Sequence, residues 1–172
     1  MHRQVIHAPF VVGPGGIRIL QCHSRGDRRF TPFNCFVSAF GRQDSIENHY
    51  HRAKRFGERA PRDWREAKAL KAAHRQTGWQ IGPVAADVRS NPAGTSFRLD
   101  DLGIQFYVML WSRYLQARPD LVAAAAEFDE FEDPFRGAFP FCQADVIRQA
   151  VRGGVESLRP MFTELEAMLR AG

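Results

Sequence analysis

The stretch that decides the fold is residues 100–115, DDLGIQFYVMLWSRYL. Its apolar side chains recur at intervals of three and four residues, at Ile104, Tyr107, Val108, Trp111 and Leu115. This spacing predicts an amphipathic helix that begins at Asp100 or Asp101 and buries one face in the core. It is the strongest helical signal in the chain.

Helical signals also dominate the rest of the chain from residue 44 onward. Asp44 or Ser45 is a suitable N-cap for a helix that reaches about Phe56 and stops at Gly57. Further helices are predicted over residues 61–76, 119–128, 143–151 and 160–169. We expect a loop over residues 82–94, which are rich in Pro and Gly, and an acidic, aromatic loop over residues 127–141 that packs over the domain.

The β signals lie near the N-terminus. Residues 17–24, IRILQCHS, alternate as a strand does, and residues 30–40 favour a short strand or hairpin closed by Gly41. Residues 1–16 end in GPGG, which is typical of a flexible lead-in. The sequence therefore predicts an α+β fold over residues 17–172: a mostly helical single domain with a small β-sheet or hairpin near the N-terminus.

Composition limits the class of protein. The chain has 172 residues, of which 44% are hydrophobic, enough for one core but not for two full domains. It has no run of 18 apolar residues and does not begin like a secretory signal, so we expect a cytoplasmic protein without membrane contact. The formal net charge of +5 favours an anionic partner, although a basic surface is an equally ordinary explanation.

The helix after Ser45 carries the most informative set of polar residues. Glu47, His51 and Lys54 recur at helical spacing on one face, beside a face that holds Tyr50. A carboxylate, an imidazole and an ammonium in one row suit acid–base or electrostatic catalysis if they face a pocket. Two plainer interpretations remain open: Glu47 completes a capping box with Asp44, or the row is a solvated helix face.

The turn after the first predicted strand combines cations with rings. Arg25, Arg28 and Arg29 lie beside Phe30 and Phe33. Such a group is typical of a nucleotide site, in which phosphate binds arginine and the base stacks on a ring. An ordinary basic surface turn is the alternative.

Metal and nucleophile motifs are missing from the sequence. Cys22, His23, His49 and His51 are suitable ligand types, but the chain has no Cys-x-x-Cys or His-x-x-x-His spacing. It also has no Gly-x-Ser-x-Gly elbow and no phosphate loop. We therefore expect neither a metal ion nor another cofactor.

Three blocks of the sequence together resemble the NADAR superfamily of N-glycosidases. In the first, the strand over residues 17–24 is followed by Gly26-Asp27 and then by FTPF at residues 30–33. In the second, Gly41 precedes SIENHYHRAK at residues 45–54, which is similar to the family's Ser/Thr-x-Glu-His-x-Tyr/Phe-Gln-x-x-Lys helix. In the third, LWSRYLQARPDL at residues 110–121 is similar to a later helix ending of the family.

The resemblance implies hydrolysis of a ribosyl–base bond, with an ADP-ribosyl or phosphoribosyl substrate. It implies Glu47 as the catalytic carboxylate, Lys54 as its helper and Asp133 as a second carboxylate. The substrate contacts that it implies come from Arg25, Asp27, Arg28, Phe30, Phe33, Tyr50, His51 and Phe135. His51 stands where the family has Gln, and the family's closing motifs are not intact. A module that binds ADP-ribose, a nucleotide or nucleic acid without cleavage is therefore the alternative.

Overall fold

The computed structural model describes residues 10–87, 97–135 and 141–172. Within these ranges the fold is α+β, as predicted, with short strands grouped into three small sheets. The strands are β1 (Phe10–Val12), β2 (Arg18–Gln21), β3 (Phe36–Ala39), β4 (Arg42–Ser45), β5 (Lys54–Arg55), β6 (Gly78–Ile81), β7 (Val84–Asp87) and β8 (Glu130–Glu132). The α-helices are α1 (Ile46–Arg52), α2 (Trp64–Ala73), α3 (Phe97–Ala117), α4 (Pro119–Ala125), α5 (Gln143–Gly153) and α6 (Thr163–Ala171).

Helix α3 is the centre of the core. Val108, Trp111 and Leu115 of the predicted face are at most 1% exposed, which confirms their burial. Phe106 and Leu110, outside that face, are equally buried, so the core surrounds more than one side of α3. Neighbouring elements that pack on α3 include a 3₁₀ helix over Val155–Phe162, together with α1, β3 and α6. None of the helices in the described ranges is long and apolar enough to cross a membrane.

The first sheet has the strand order β1-β2-β8. Strand β1 is antiparallel to β2 and β8 is parallel to it, so that Leu20 is paired with both Phe10 and Phe131. The lead-in predicted over residues 1–16 is thus wrong for residues 10–12, which form a strand, while residues 1–9 lie outside the described ranges. The loop predicted over residues 127–141 likewise contains β8, because the buried Phe131 is held against Leu20.

The second sheet is a hairpin made of β3 and β4. Its first strand lies within the predicted residues 30–40, whereas β4 follows Gly41, where no strand was predicted. The hairpin leads directly into α1, whose N-cap is Ser45: its hydroxyl accepts a hydrogen bond from Asn48 N at 3.1 Å. Asp44 accepts instead from Ser45 N and from the Asn48 side chain, both at 2.8 Å. A capping box between Asp44 and Glu47 is therefore wrong, and the Glu47 carboxylate is left for other contacts.

The third sheet, in the order β5-β6-β7, ends α1 earlier than predicted. The helix stops at Arg52, and Lys54 pairs with Trp79 across the β5–β6 ladder. The helical register that puts Lys54 seven residues along one face from Glu47 is therefore wrong. The loop predicted over residues 82–94 is also wrong for residues 84–87, which form β7; residues 88–94 lie outside the described ranges.

The remaining helices follow their predictions with shifted ends. Helix α2 begins after Asp63, whose side chain accepts a hydrogen bond from Glu66 N at 2.8 Å, rather than at Pro61. The helix predicted over residues 160–169 is divided at Phe162, where the 3₁₀ helix that contains Pro160 ends and α6 begins. Proline favours such an interruption because it lacks an amide hydrogen.

Candidate active site

Glu47 lies in the first turn of α1, where its backbone N–H donates to the carbonyl of Pro32 at 2.9 Å. Its Oε1 is 3.0 Å from Nε2 of His51, one turn further along the helix. The two side chains are only 16% and 22% exposed, respectively. This pair therefore lies at the edge of the core, and a freely solvated helix face does not describe it.

Lys54 is a buried cation beside this pair. The residue is 9% exposed, and its Nζ lies 4.6 Å from the ring centroid of Tyr50 and 5.8 Å from that of Trp79. Burial lowers the pKa of Lys54 to about 8; the charge of Lys71 lowers it further, whereas that of Glu47 raises it. Loss of hydration is thus partly offset by two aromatic faces and by the nearby carboxylate.

Aromatic rings form one wall of the site. The Tyr50 ring meets that of Tyr107 on α3 at 5.3 Å between centroids. The Tyr107 hydroxyl donates to Gln143 Oε1 at 3.0 Å, and the Gln143 amide donates to the Cys22 carbonyl at 2.9 Å. Burial raises the pKa of Tyr107, and the charge of Glu47 raises it further. The hydroxyl therefore stays protonated and ties α3, α5 and the end of β2 together beside Glu47.

Asp133 acts electrostatically on Cys22, the residue whose carbonyl accepts from Gln143. It is 5% exposed and accepts a hydrogen bond from Phe135 N at 2.9 Å. Burial, and after it the charge of Asp133, raise the pKa of both Cys22 and Cys142. Glu47 is thus next to Tyr107 and Asp133 is next to Cys22, and the hydrogen bonds of Gln143 connect Tyr107 with Cys22.

The two arginines predicted to bind the substrate, Arg25 and Arg28, do not contact Glu47 among the described residues. Asp27 is 6% exposed, and its carboxylate binds Arg29, with Oδ2 2.6 Å from Nη2, while also capping the 3₁₀ helix Arg28–Phe30. Asp27 therefore stabilises this turn rather than offering an open carboxylate. Arg25 and Arg28 are exposed, and none of the contacts within the described ranges connects either of them to Glu47.

The three phenylalanines predicted to stack on a base have different surroundings. Phe30 is completely buried, so the prediction that its ring stacks on a ligand is wrong: the ring belongs to the core. Phe33 packs edge-on against Trp64 at 5.2 Å between centroids. Phe135 is 41% exposed, in contrast to Phe30.

Sequence reasoning missed Trp79 and Gln143 and placed Tyr107 only in the core pattern of α3. Tyr107 interrupts that apolar pattern with a hydroxyl, which was the available signal. The sequence signal for Trp79 was weaker, since an isolated tryptophan after Gly78 does not indicate which residue it will face. For Gln143, at the start of α5, the sequence contains no signal of a role in the site.

The site can place negative and positive charge beside a partly enclosed, aromatic surface. The residues in the described ranges contain no group of three or more His, Cys, Asp or Glu that could hold a metal ion. In comparisons with known proteins, no family model and no curated protein matches this chain.

Proposed function

We propose that this chain is an N-glycosidase of the NADAR type, which hydrolyses the bond between ribose C1′ and a base nitrogen. The substrate that we propose carries an ADP-ribosyl or phosphoribosyl group. The single observation that supports this most is the position of Glu47, which is 16% exposed, bound to His51 and within electrostatic reach of Lys54. A carboxylate so placed fits the second block of the resemblance.

Cleavage of a ribosyl–base bond develops positive charge at C1′ as the bond to nitrogen stretches. Glu47 stabilises that charge and accepts a proton from the attacking water. The water oxygen bonds to C1′, the C1′–N bond breaks with its electron pair going to nitrogen, and the leaving base takes up a proton. His51 holds the carboxylate in position through its 3.0 Å contact.

Lys54 and the rings set the electrostatics of this step. Because Lys54 is buried against Tyr50 and Trp79, its charge is poorly screened and acts strongly on an anionic substrate group or on Glu47. Arg25 and Arg28 are exposed, as a contact to phosphate requires, and Phe135 offers a ring to the base. Asp133 is the proposed second carboxylate.

The test is base release by a charge-neutral variant. Glu47→Gln keeps the shape of the side chain and its hydrogen bond to His51 but removes the negative charge. We expect base release from ADP-ribosylated or phosphoribosylated substrates, followed by chromatography, to fall by about 10²- to 10⁴-fold. Glu58→Gln, an exposed carboxylate outside this site, is the matched control and should keep full activity.

Equal release by wild type and Glu47→Gln would refute the role of Glu47. A wild-type protein that binds ADP-ribose in calorimetry yet releases no base from any of these substrates would instead be a binding module. Weak release by the wild type that survives in Glu47→Gln but is lost in Asp133→Asn would transfer the catalytic role to the second carboxylate.

A further inference from the structure

The outer face of the β3–β4 hairpin carries a cavity that the proposed glycosidase reaction does not use. Its volume is about 420 Å³, and it is lined by residues 38–43 of the hairpin and by Arg113 of α3. It is a shallow hollow open to solvent, so a ligand would lie along its surface rather than be enclosed. The lining includes an exposed ring and two arginines, whereas Glu47 and Lys54 are not part of it.

Phe40, at the tip of the hairpin, adopts a backbone conformation that disfavours it. Ala39 pairs with Arg42, so Phe40 and Gly41 form a two-residue turn in which their φ angles are +52° and +72°. Asn and Gly are the usual residues of such a turn, because a bulky side chain is strained at positive φ. Strain of this kind persists only where the surrounding structure holds the residue in place, and it is common at functional sites.

The Phe40 ring is held in place and yet remains accessible. It packs on Phe106 at 6.1 Å between centroids and lies against the backbone at Gly82, where no Cβ would fit. Nevertheless, 44% of Phe40 is exposed. Packing on one side therefore fixes the ring, while its other side faces the cavity.

Two guanidinium groups accompany this ring. The Arg113 guanidinium lies 6.0 Å from the Phe40 centroid, and no carboxylate among the described residues pairs with it. Arg42 is oriented by Asp44, which accepts from its Nε at 3.2 Å. A fixed ring beside an unpaired and an oriented arginine is complementary to a base attached to phosphate.

A second exposed ring, that of Phe36, lies at the start of β3. Phe36 is 55% exposed and shares the outer face of β3 with Ser38, whereas Val37 and Ala39 face the core. Strand β3 and the first residue of the turn separate the Phe36 and Phe40 backbones by about 13 Å. Rings at this separation are too far apart for one nucleotide or for neighbouring bases, and suit two bases of an extended strand with one nucleotide between them.

We propose that this hairpin face binds single-stranded nucleic acid, with one base stacked on Phe40, a second on Phe36 and the intervening phosphates on Arg113 and Arg42. The net charge of +5 favours the same partner. The proposal rests on residues outside the Glu47 site and stands whether or not the chain is a glycosidase. The strand binds by stacking and charge, so little base preference is expected.

The decisive variant is Phe40→Asn, because Asn suits the turn better than Phe does. We expect it to bind a fluorescent single strand of about 12 nucleotides roughly tenfold more weakly in an anisotropy titration. Relief of strain at positive φ offsets part of the packing lost on Phe106, so its thermal unfolding midpoint should change by only a few degrees. A loss of binding in a variant that still unfolds cooperatively separates a functional ring from a structural one.

Arg113→Gln tests the phosphate contact. The slope of log binding constant against log salt should become shallower by about 0.7, as expected for one fewer phosphate contact on a single strand. Arg152→Gln, an exposed arginine on α5, is the matched control and should leave the slope unchanged. Glu47→Gln should bind the strand as wild type does, whatever happens to base release.

Wild-type binding by Phe40→Asn and Arg113→Gln would overturn the proposal. So would a free mononucleotide such as 5′-AMP that binds as tightly as the oligonucleotide and displaces it completely, because the cavity would then be a small-molecule site. An oligonucleotide that binds equally well after Phe36→Ser would remove the second ring and with it the argument for a strand.

Discussion

Replacing Lys54 by Met should stabilise the folded protein at neutral pH while abolishing base release. Lys54 is 9% exposed, and burial lowers its pKa from 10.5 to about 8. At pH 7 the residue is charged in both the folded and the unfolded chain, so the folded state bears the whole cost of burying that charge. Met has a similar length, contacts the same rings and carries no charge.

The expected magnitude follows from the pKa change. The difference between 10.5 and about 8 corresponds to about 3 kcal/mol of unfavourable free energy in the folded state at pH 7. The cation–π contacts with Tyr50 and Trp79 act on the same charge, so their favourable energy is already contained in this net shift. The variant should therefore unfold with a free energy about 3 kcal/mol higher than wild type at pH 7.

The pH dependence of stability is an independent check on the direction of this change in the free energy of unfolding. Between pH 8 and 10.5 the unfolded chain binds a proton at Lys54 that the folded chain has released, so wild-type stability rises with pH through this window. The variant lacks this titration. The advantage of Lys54→Met should thus shrink steadily above pH 8 and disappear above pH 10.5.

The measurement is urea unfolding followed by circular dichroism, for wild type and variant, at pH 7 and in steps to pH 10.5. Lys68→Met, an exposed lysine of α2, is the control and should change stability by less than about 0.5 kcal/mol. If Lys54→Met is less stable than wild type at pH 7, or if the difference is the same at both ends of the pH range, the reasoning from burial is refuted.

Two further predictions concern the supports of the site. Tyr107→Phe should lower the free energy of unfolding in urea by about 1–3 kcal/mol, because the buried Gln143 Oε1 loses its donor at 3.0 Å; an unchanged value would mean that another group satisfies Gln143. Burial lowers the pKa of His49, whose Nε2 is 3.0 Å from the Val37 carbonyl, so the unfolded chain binds a proton more readily than the folded one and stability should fall as pH drops below 6.5. In His49→Gln, stability should decrease less steeply below pH 6.5 in acid-unfolding curves. An equally steep decrease would mean that other groups cause the loss of stability in acid.

Periodicity made the long elements of the fold predictable. The apolar residues of helix α3 recur at helical spacing, and this spacing alone indicated that Val108, Trp111 and Leu115 face the core. Strand β3 was likewise predictable from the apolar residues before Gly41, whereas its partner β4 has the sequence RQDS and no apolar residue to indicate it. In both cases neighbouring residues carry the signal, so no knowledge of distant contacts was needed.

The short strands were not predictable in the same way. Strands β1, β7 and β8 have three or four residues each, too few to show a period, and exist because a partner strand satisfies their backbone groups. Helix α1 ended early for the same reason. Its sequence continues to favour helix past Arg52, but the pairing of Lys54 with Trp79 outweighs that local preference.

The site was predictable only where it is local. Glu47 and His51 are four residues apart on one helix, so their contact follows from helical geometry alone. Tyr107 and Gln143 come from helices far away in the sequence and meet beside Glu47 only after folding. Convergence of this kind depends on tertiary packing, which no spacing within a single segment reveals.

The early end of α1 has a chemical consequence for Lys54. On a continued helix the lysine would extend into water beyond His51, with an ordinary pKa and a well-screened charge. Strand β5 instead turns it against the faces of Tyr50 and Trp79, where water is displaced and its charge is costly. A fold that only needed stability would place an apolar residue there. The cost is understandable if the ammonium acts on an anionic group of the substrate or on Glu47, and this is why the stability and activity of Lys54→Met should change in opposite directions.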